Sequence, residues 1–419
     1  MRTRLVPFAA LLVGLFLLTM AGGLQSLLLP VRAGIEGFPT WSVGAMGAAH
    51  AVGFIGGCLA VPGLLARVGH IRTFAAVAAL AACAALASAL FVHPFAWVGL
   101  RALTGFCFAG AGMIVESWLN DRAGNEGRGS VLGAYMIVNL AAGMSGQLVL
   151  PLFGALGTGP FILVAMLLAL ALVPTALSTG PAPAPPRTAR LRPVVLFRVS
   201  PLAALGCLAI GLVNGAFGTL GAVFFQEAGF DLPATALLMS TALLGGAALQ
   251  MPLGWLSDRI DRRVVLVAVA LGAALMSWTL DVVRPHGLAQ ALPLLFLLGG
   301  CLHSMYALAV AHANDHAAPG AFVETAGGLL LLFGVGCVIG PLASSLLMEI
   351  VRPGALLGFM GVVHLTLAAF AILRLKARAA PATGGAFEPL SREGTTAAAA
   401  LDPRADEAEP LPPVRVKAA

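Results

Sequence analysis

A chain of 419 residues that is 59% hydrophobic and only 10% charged, with a mean hydropathy of +0.95, lies far beyond the apolar content of soluble domains, roughly 45–50%. Such a composition excludes an ordinary soluble enzyme and points to a bilayer. The formal net charge of +6 then concerns topology and anionic headgroups, and gives no support for nucleic-acid binding.

Twelve apolar runs follow in chain order: 7–29, 41–64, 72–92, 95–118, 129–152, 158–177, 200–225, 233–256, 263–283, 288–312, 321–349 and 354–374. At about 1.5 Å per residue, roughly 20 residues cross a hydrocarbon core of about 30 Å, so each run is read as a membrane helix. The opening MRTRLVPFAALLVGLF imitates a secretory signal, but its apolar stretch is too long and no small-residue cleavage site precedes a soluble domain. It is read as a retained first helix. With the N-terminus inside, sixteen Lys and Arg residues fall in cytoplasmic segments, against Arg32, Arg284 and Arg352 outside. This asymmetry predicts that both termini are cytoplasmic in an inner or plasma membrane. The six cysteines all lie within apolar runs with no CxxC pair, so they read as packing residues, with no metal site and no cofactor expected.

Six runs precede the Pro- and Arg-rich stretch 178–199 and six follow it. The expected organisation is therefore an all-α integral membrane protein with two pseudo-symmetric six-helix halves, 1–177 and 200–378. A cytoplasmic linker joins them, and a disordered cytoplasmic tail without chemistry is expected over 379–419. The halves echo each other at an offset of about 192 to 194. ARVGHIR (66–72) lies opposite DRIDRRV (258–264), LNDRA (119–123) opposite ANDHA (313–317), and Gly146-Gln147 opposite Gly340-Pro341. Parallel repeats of this kind mark one large class of secondary transporters.

These residues resemble the major facilitator superfamily over about residues 5–376. Its loop signature, Gly-x-x-x-Asp-Arg-x-Gly-Arg-Arg, is matched by Gly254, Asp258, Arg259, Arg262 and Arg263, with Asp261 replacing the second glycine. In the first half the signature is degraded, keeping Arg67, Gly69 and Arg72 but placing Ala66 where the acid is expected. Arg101 and Gly105 are similar to the family's Arg-x-x-x-Gly pattern, and Gly336, Gly340 and Pro341 to its Gly-x-x-x-Gly-Pro bend. VESWLNDRA (115–123), RGSVLGAYMIVNLAAGMSGQLVLP (128–151) and SMYALAVAHANDHA (304–317) are similar to the YcaD-like branch. That resemblance implies twelve helices and alternating access, and names no substrate.

Charges inside a membrane cost about 2.5 to 3.5 kcal/mol on insertion scales, so they tend to face a cavity or a partner. Arg101 and Glu116 in the fourth run are candidates for substrate or proton coupling. Gly105, Ala109 and Gly112 between them serve either close helix packing or substrate space. Tyr135, Asn139 and Gln147 in the fifth run, His303 and Tyr306 in the tenth, Gln25 in the first and Asn214 in the seventh are further candidates. Hydrogen bonds between helices are the alternative for each. His50, Gln250 and His364 have weaker claims. Asp121 and Asp315 are repeat-related, so they are expected to pair with the basic loops, Asp121 with Arg67 or Arg72 and Asp315 with Arg259, Arg262 or Arg263. Those pairs are expected to form a cytoplasmic gate, with Asn120 and Asn314 capping or bridging the same helix ends. Trp41, Trp97, Trp118 and Trp255 are expected as interfacial anchors, and Asp281, Glu349 and Glu227 as solvated acids.

No Walker A, HExxH or GxSxG pattern occurs, so neither catalysis nor nucleotide energy is indicated. The function expected is secondary transport of a small solute by a monomer in a lipid bilayer, with proton coupling as a further expectation. The alternative is a membrane sensor or scaffold that keeps the fold and does not transport.

Overall fold

The computed structural model describes residues 9–176, 183, 196–197, 200–317, 321–377, 394–395 and 397–398, without the side chains of 122–130, 175–176 and 377. The expected linker and tail thus fall mostly outside the described residues. Among the described residues twelve apolar helices are present, eleven of them long and apolar enough to cross a membrane and α6 shorter: α1 Ala9–Ile35, α2 Thr40–Val68, α3 His70–Leu90, α4 Pro94–Asp121, α5 Val131–Phe153, α6 Gly159–Ala176, α7 Pro201–Glu227, α8 Leu232–Ser257, α9 Arg262–Val283, α10 Leu288–Asn314, α11 Phe322–Ile350 and α12 Ala355–Ala377. The Tyr135 hydroxyl donates to Glu116 Oε1 at 2.6 Å, whereas 19 residues of straight helix would hold them about 28 Å apart. The chain therefore doubles back between α4 and α5.

Several starts are written in the sequence. Ser200 accepts from the Ala203 amide at 3.3 Å ahead of Pro201, and Asp231 accepts from the Ala234 amide at 2.9 Å ahead of α8. Both satisfy amides that the first turn of a helix leaves without an intrahelical partner. The first run predicted to end at 29 continues to Ile35, where Arg32 pairs with Glu36 at 2.6 Å.

Without a hydrophobic driving force between helices in lipid, close backbone approach at small residues holds spans together. The repeat shows in those crossings. In the first half Gly53 of α2 packs on the Ala102 carbonyl and Gly105 of α4 on that of His50. In the second half Gly245 of α8 packs on the Phe296 carbonyl and Gly299 of α10 on that of Ala242. Likewise Gly146 of α5 meets Met20 and Leu24 of α1, and Gly340 of α11 meets Leu212 of α7. A Cβ at any of these six positions would collide with backbone, which cannot move aside as a side chain can.

The molecule has a basic end, carrying Arg67, Arg72 and Arg259, and an opposite, far end where α2 starts and α11 finishes. Between halves, Gly44 of α2 abuts Pro341 and Ser345 of α11, and Gly47 abuts Thr219 of α7, all in the far part of the bundle. Hydrogen bonds join the halves there from the Trp41 amide to Glu349 Oε2 at 3.1 Å and from Ser240 Oγ to Gln147 Oε1 at 3.1 Å.

Two of the expected interfacial tryptophans are core residues. Trp97 is packed edge-on against Phe38 with its indole N–H donating to the Ser88 carbonyl at 2.9 Å, and Trp118 is fully buried. A polar tip satisfied inside the bundle makes the interface unnecessary for Trp97. Trp255 is exposed, with the Arg259 guanidinium 3.1 Å above its ring.

Candidate functional site

At mid-depth between the halves lies a cavity of about 370 Å3 whose walls come from α1, α2, α4, α5, α7, α8, α10 and α11. It faces Gln25, Arg101, Asn139, Gln147, Asn214 and His303 from the candidate list, together with His50. The fold collects these side chains because α5 presents Asn139, Gly143 and Gln147 one turn apart on one face, and α4 presents Arg101 and Phe108 two turns apart.

Arg101 is the cation of this cavity. Its Nη1 donates to Gln25 Oε1 at 3.2 Å, and among the described residues no carboxylate forms an ion pair with it. His50 lies beside it, with Nδ1 buried and without a hydrogen-bond partner among the described residues. Around them the amides are partly occupied. Thr19 Oγ1 donates to Asn139 Oδ1 at 2.8 Å, Asn139 Nδ2 donates to the Tyr135 carbonyl at 3.1 Å, and Asn214 Nδ2 to that of Ile210 at 2.9 Å. Of the α4 small residues, Gly105 and Ala109 serve close packing on α2, whose Gly57 sits against Ala109, while Gly112 opens instead onto Thr395.

Glu116 and Tyr135 sit closer to the basic end and outside the cavity wall, as does Tyr306, which packs against Phe333 with ring centroids 5.2 Å apart. Glu116 is fully buried. Besides Tyr135, its partner is Thr395, whose amide lies 3.1 Å from both carboxylate oxygens and whose hydroxyl donates to Oε2 at 2.5 Å. One residue of the expected tail thus contacts the bundle. A buried carboxylate in a membrane needs donors, and a short Gly-Thr turn can bring an amide and a hydroxyl to it together.

At the basic end of the second half, Arg262 Nε lies 3.0 Å from Asp315 and its Nη2 3.1 Å from Asp258, while Arg263 Nη2 lies 2.6 Å from Asp261. Hydrogen bonds from Arg263, ahead of its charge, hold the Asp261 carboxyl below the usual aspartate range. Gly254 is buried in the last turn of α8, and Arg259 stacks on Trp255. In the first half, Arg67, Arg72 and Asp121 are exposed and no ion pair among the described residues joins Asp121 to either arginine. His70 occupies the repeat position of Arg262. The Asn314 side chain and the Asn120 oxygen have no hydrogen-bond partner among the described residues, in place of the expected caps.

Glu349, expected as a solvated acid, has a partner in the other half. The start of α2 is Pro39, which offers no side-chain cap, so the Trp41 amide lacks an acceptor in its own helix and takes Glu349 from α11. The signal was present: an uncapped helix start and an acid at the end of a repeat-related span, both at the same end. Asp281, also expected to be solvated, accepts two hydrogen bonds from Arg352 at 2.7 and 2.6 Å, and that pair raises the arginine's pKa.

A family model described as Major Facilitator Superfamily matches residues 222–404. The chain is 27% identical over 349 residues to an uncharacterized MFS-type transporter of Enterobacter sp. (strain 638), covering 82% of this chain and 89% of the relative. It is 27% identical over 352 residues to the uncharacterized MFS-type transporter YcaD of Escherichia fergusonii, with the same two shares. The crystal structure of the nucleoside transporter NupG superposes with a TM-score of 0.74 at 15% identity, covering 89% of this chain and 100% of that one. An inward-facing, unoccupied bacterial homologue of the human lysosomal transporter Spinster superposes at 0.70 and 13% identity, covering 90% and 99%. Two six-helix halves around a polar cavity, the loop signature at Gly254–Arg263 and these likenesses support a multi-pass membrane protein of the major facilitator superfamily, similar to its YcaD-like branch.

Proposed function

We propose that the protein is a secondary transporter of a small solute bearing an anionic group, working by alternating access in a bacterial inner membrane, with its basic end in the cytoplasm. The observation that carries this reading is Arg101: a guanidinium on the wall of a mid-membrane cavity whose hydrogen-bond partner is a neutral amide. A carboxylate or phosphate entering the cavity supplies the missing countercharge through paired N–H···O bonds. The polar rim of His50, Asn139, Gln147, Asn214 and His303 then reads the rest of the solute.

The close packing at the far end supports reading this conformation as inward-facing. Rocking the halves would part Gly44 from Ser345 and Trp41 from Glu349 while opening the cavity to the opposite face. The ion pair of Arg262 with Asp315 joins elements of one half, so it braces that half's loop during the motion and does not bridge the two. Proton coupling belongs to the same proposal, with Glu116, His50 and His303 as the titratable groups along the route.

Thermal shift of the purified protein with monocarboxylates, dicarboxylates, organic phosphates, neutral sugars and hydrophobic cations tests the anion class. Stabilisation by an acid that is lost in Arg101→Gln supports it; stabilisation by neutral solutes that survives Arg101→Gln overturns it. Uptake of the stabilising solute into proteoliposomes, with and without a pH gradient and in Glu116→Gln, tests transport and coupling. A receptor that does not transport would bind the solute without moving it.

A further inference from the structure

We propose that the solute is a monocarboxylate with an apolar body. Its acid group sits on Arg101 toward the far end of the cavity, and its hydrocarbon part lies toward the basic end. This rests on the Arg101 reading above and adds what the rest of the molecule must be.

The unmet polar demand of the cavity is gathered in one place. A guanidinium carries several N–H donors, and among the described residues that of Arg101 gives a hydrogen bond to Gln25 Oε1 alone. His50 Nδ1, beside it, has no partner among the described residues either. Elsewhere the polar groups facing the cavity are engaged within the protein. Asn139 accepts from Thr19 and donates to the Tyr135 carbonyl, and Gln147 accepts from Ser240. Ser26 donates to the Gly23 carbonyl and Asn214 to that of Ile210. His303 packs on Gly246 of α8 and has a protein partner. A solute rich in hydroxyls would have to exchange those bonds for its own and gain little by it. The rim thus reads the solute by refusal, disfavouring polar bodies more than it attracts any one of them.

The remaining wall is hydrocarbon. Phe108, two turns beyond Arg101 on nearly the same face of α4, stands about 10 Å nearer the basic end. Leu18 of α1, Phe54 of α2 and Leu140 of α5 line the cavity with it. Across the cavity α8 contributes Met239, Ala242 and Leu243, all apolar. Leu243 reaches over bare backbone, since a Cβ on Gly143 of α5 would stand 3.8 Å from its Cδ1. Arg101 is the one Arg, Lys, Asp or Glu among the described residues lining the cavity, so a second carboxylate on the solute would be buried without a cation. A cavity of about 370 Å3 lies near the lower end of the range of small-molecule sites, the size for a short acid such as hexanoate or phenylacetate.

Isothermal titration of the purified full chain with a matched set tests this: butyrate, hexanoate, phenylacetate, phenylacetamide, glutarate and gluconate. Each buried methylene tightens binding about fourfold, so hexanoate is expected to bind about tenfold more tightly than butyrate. Phenylacetate should bind and its amide should not, and glutarate and gluconate should bind about tenfold more weakly than hexanoate, or worse. Leu243→Ser should weaken hexanoate about tenfold and leave butyrate within about twofold, while Leu243→Ile, which keeps the wall, should change neither. Glutarate or gluconate binding as tightly as hexanoate, with both lost in Arg101→Gln, overturns the apolar body and leaves the anion reading standing. A gain with chain length that persists unchanged in Arg101→Gln is partition into detergent and also overturns it. If no acid of the set binds, the inference falls, and organic phosphates that bind in their place keep the anion reading alone. An amide that binds as its acid does, with Arg101→Gln indifferent to both, sinks the anion reading and this inference together.

Discussion

At the far end, Gly44 lies against Pro341 and Ser345 and Gly47 against Thr219, so helix meets helix directly and a single carboxylate, Glu349, caps a neighbouring helix across the join. At the basic end the contact described with Glu116 comes from a turn outside the twelve spans, through one amide and one hydroxyl. The first closure is built from two rigid surfaces and must move as a whole. The second is a few hydrogen bonds to one carboxylate. Interfaces of packed small residues are steep and all-or-none, whereas polar docking is graded and sensitive to charge.

The largest effect is expected between the two ends. Arg101→Gln should lower binding of an anionic solute by about 30-fold or more, as expected when a buried charge-assisted pair is broken, with Arg101→Lys intermediate because it cannot form the paired geometry. Isothermal titration with the stabilising acid checks both. Next, Gly44→Val wedges the far-end join, where overpacking costs about 1 to 3 kcal/mol. It should raise alkylation of Ser26→Cys from the far side several-fold, whereas Gly105→Val, at a crossing within one half, should lower the Tm and leave that rate unchanged. If both valines act alike, the distinction between joins and crossings is wrong.

Glu349→Gln keeps the acceptor but removes the charge opposite the α2 N-terminus, an interaction of about 0.3 to 1 kcal/mol. A shift of about twofold toward far-side alkylation is the expected reading. His70→Arg should let Asp121 pair as Asp315 does with Arg262, raising the Tm by up to about 2 °C, the range of a surface ion pair. The smallest effect concerns acid. Because Asp261 is held below the usual range, first by hydrogen bonds from Arg263, its contribution is complete above the ordinary aspartate range and is lost as pH falls through the depressed value. Asp261→Asn should flatten the acid side of the Tm profile by less than about 1 kcal/mol.

Much of this was legible beforehand because membranes impose simple rules on sequence. Eleven of the twelve runs match helices long and apolar enough to cross a membrane, and the sixth matches the shorter apolar helix Gly159–Pro174, since a bilayer of fixed thickness demands a fixed apolar length. Gly53 with Gly105 and Gly245 with Gly299 follow the repeat offset, as close crossings within each half require. Tryptophan placement was less legible: Trp97 lies near a span terminus, yet Ser88, Phe38 and Phe161 enclose it, and no linear pattern announces such neighbours. The partner of Asp121 was sought among arginines because the loop signature is rich in them. The repeat register instead puts His70 where Arg262 stands, and register is a spatial fact as much as a sequential one.

The sequence by itself determined that this chain crosses a membrane twelve times in two related halves, because hydropathy and a fixed offset are properties of position along the chain. Tertiary structure alone decided which polar residues share a cavity, since Gln25, Arg101, Asn214 and His303 come from four different helices. It also decided that Thr395 meets Glu116 across 279 residues, where an amide and a hydroxyl donate to a buried carboxylate that also accepts from Tyr135.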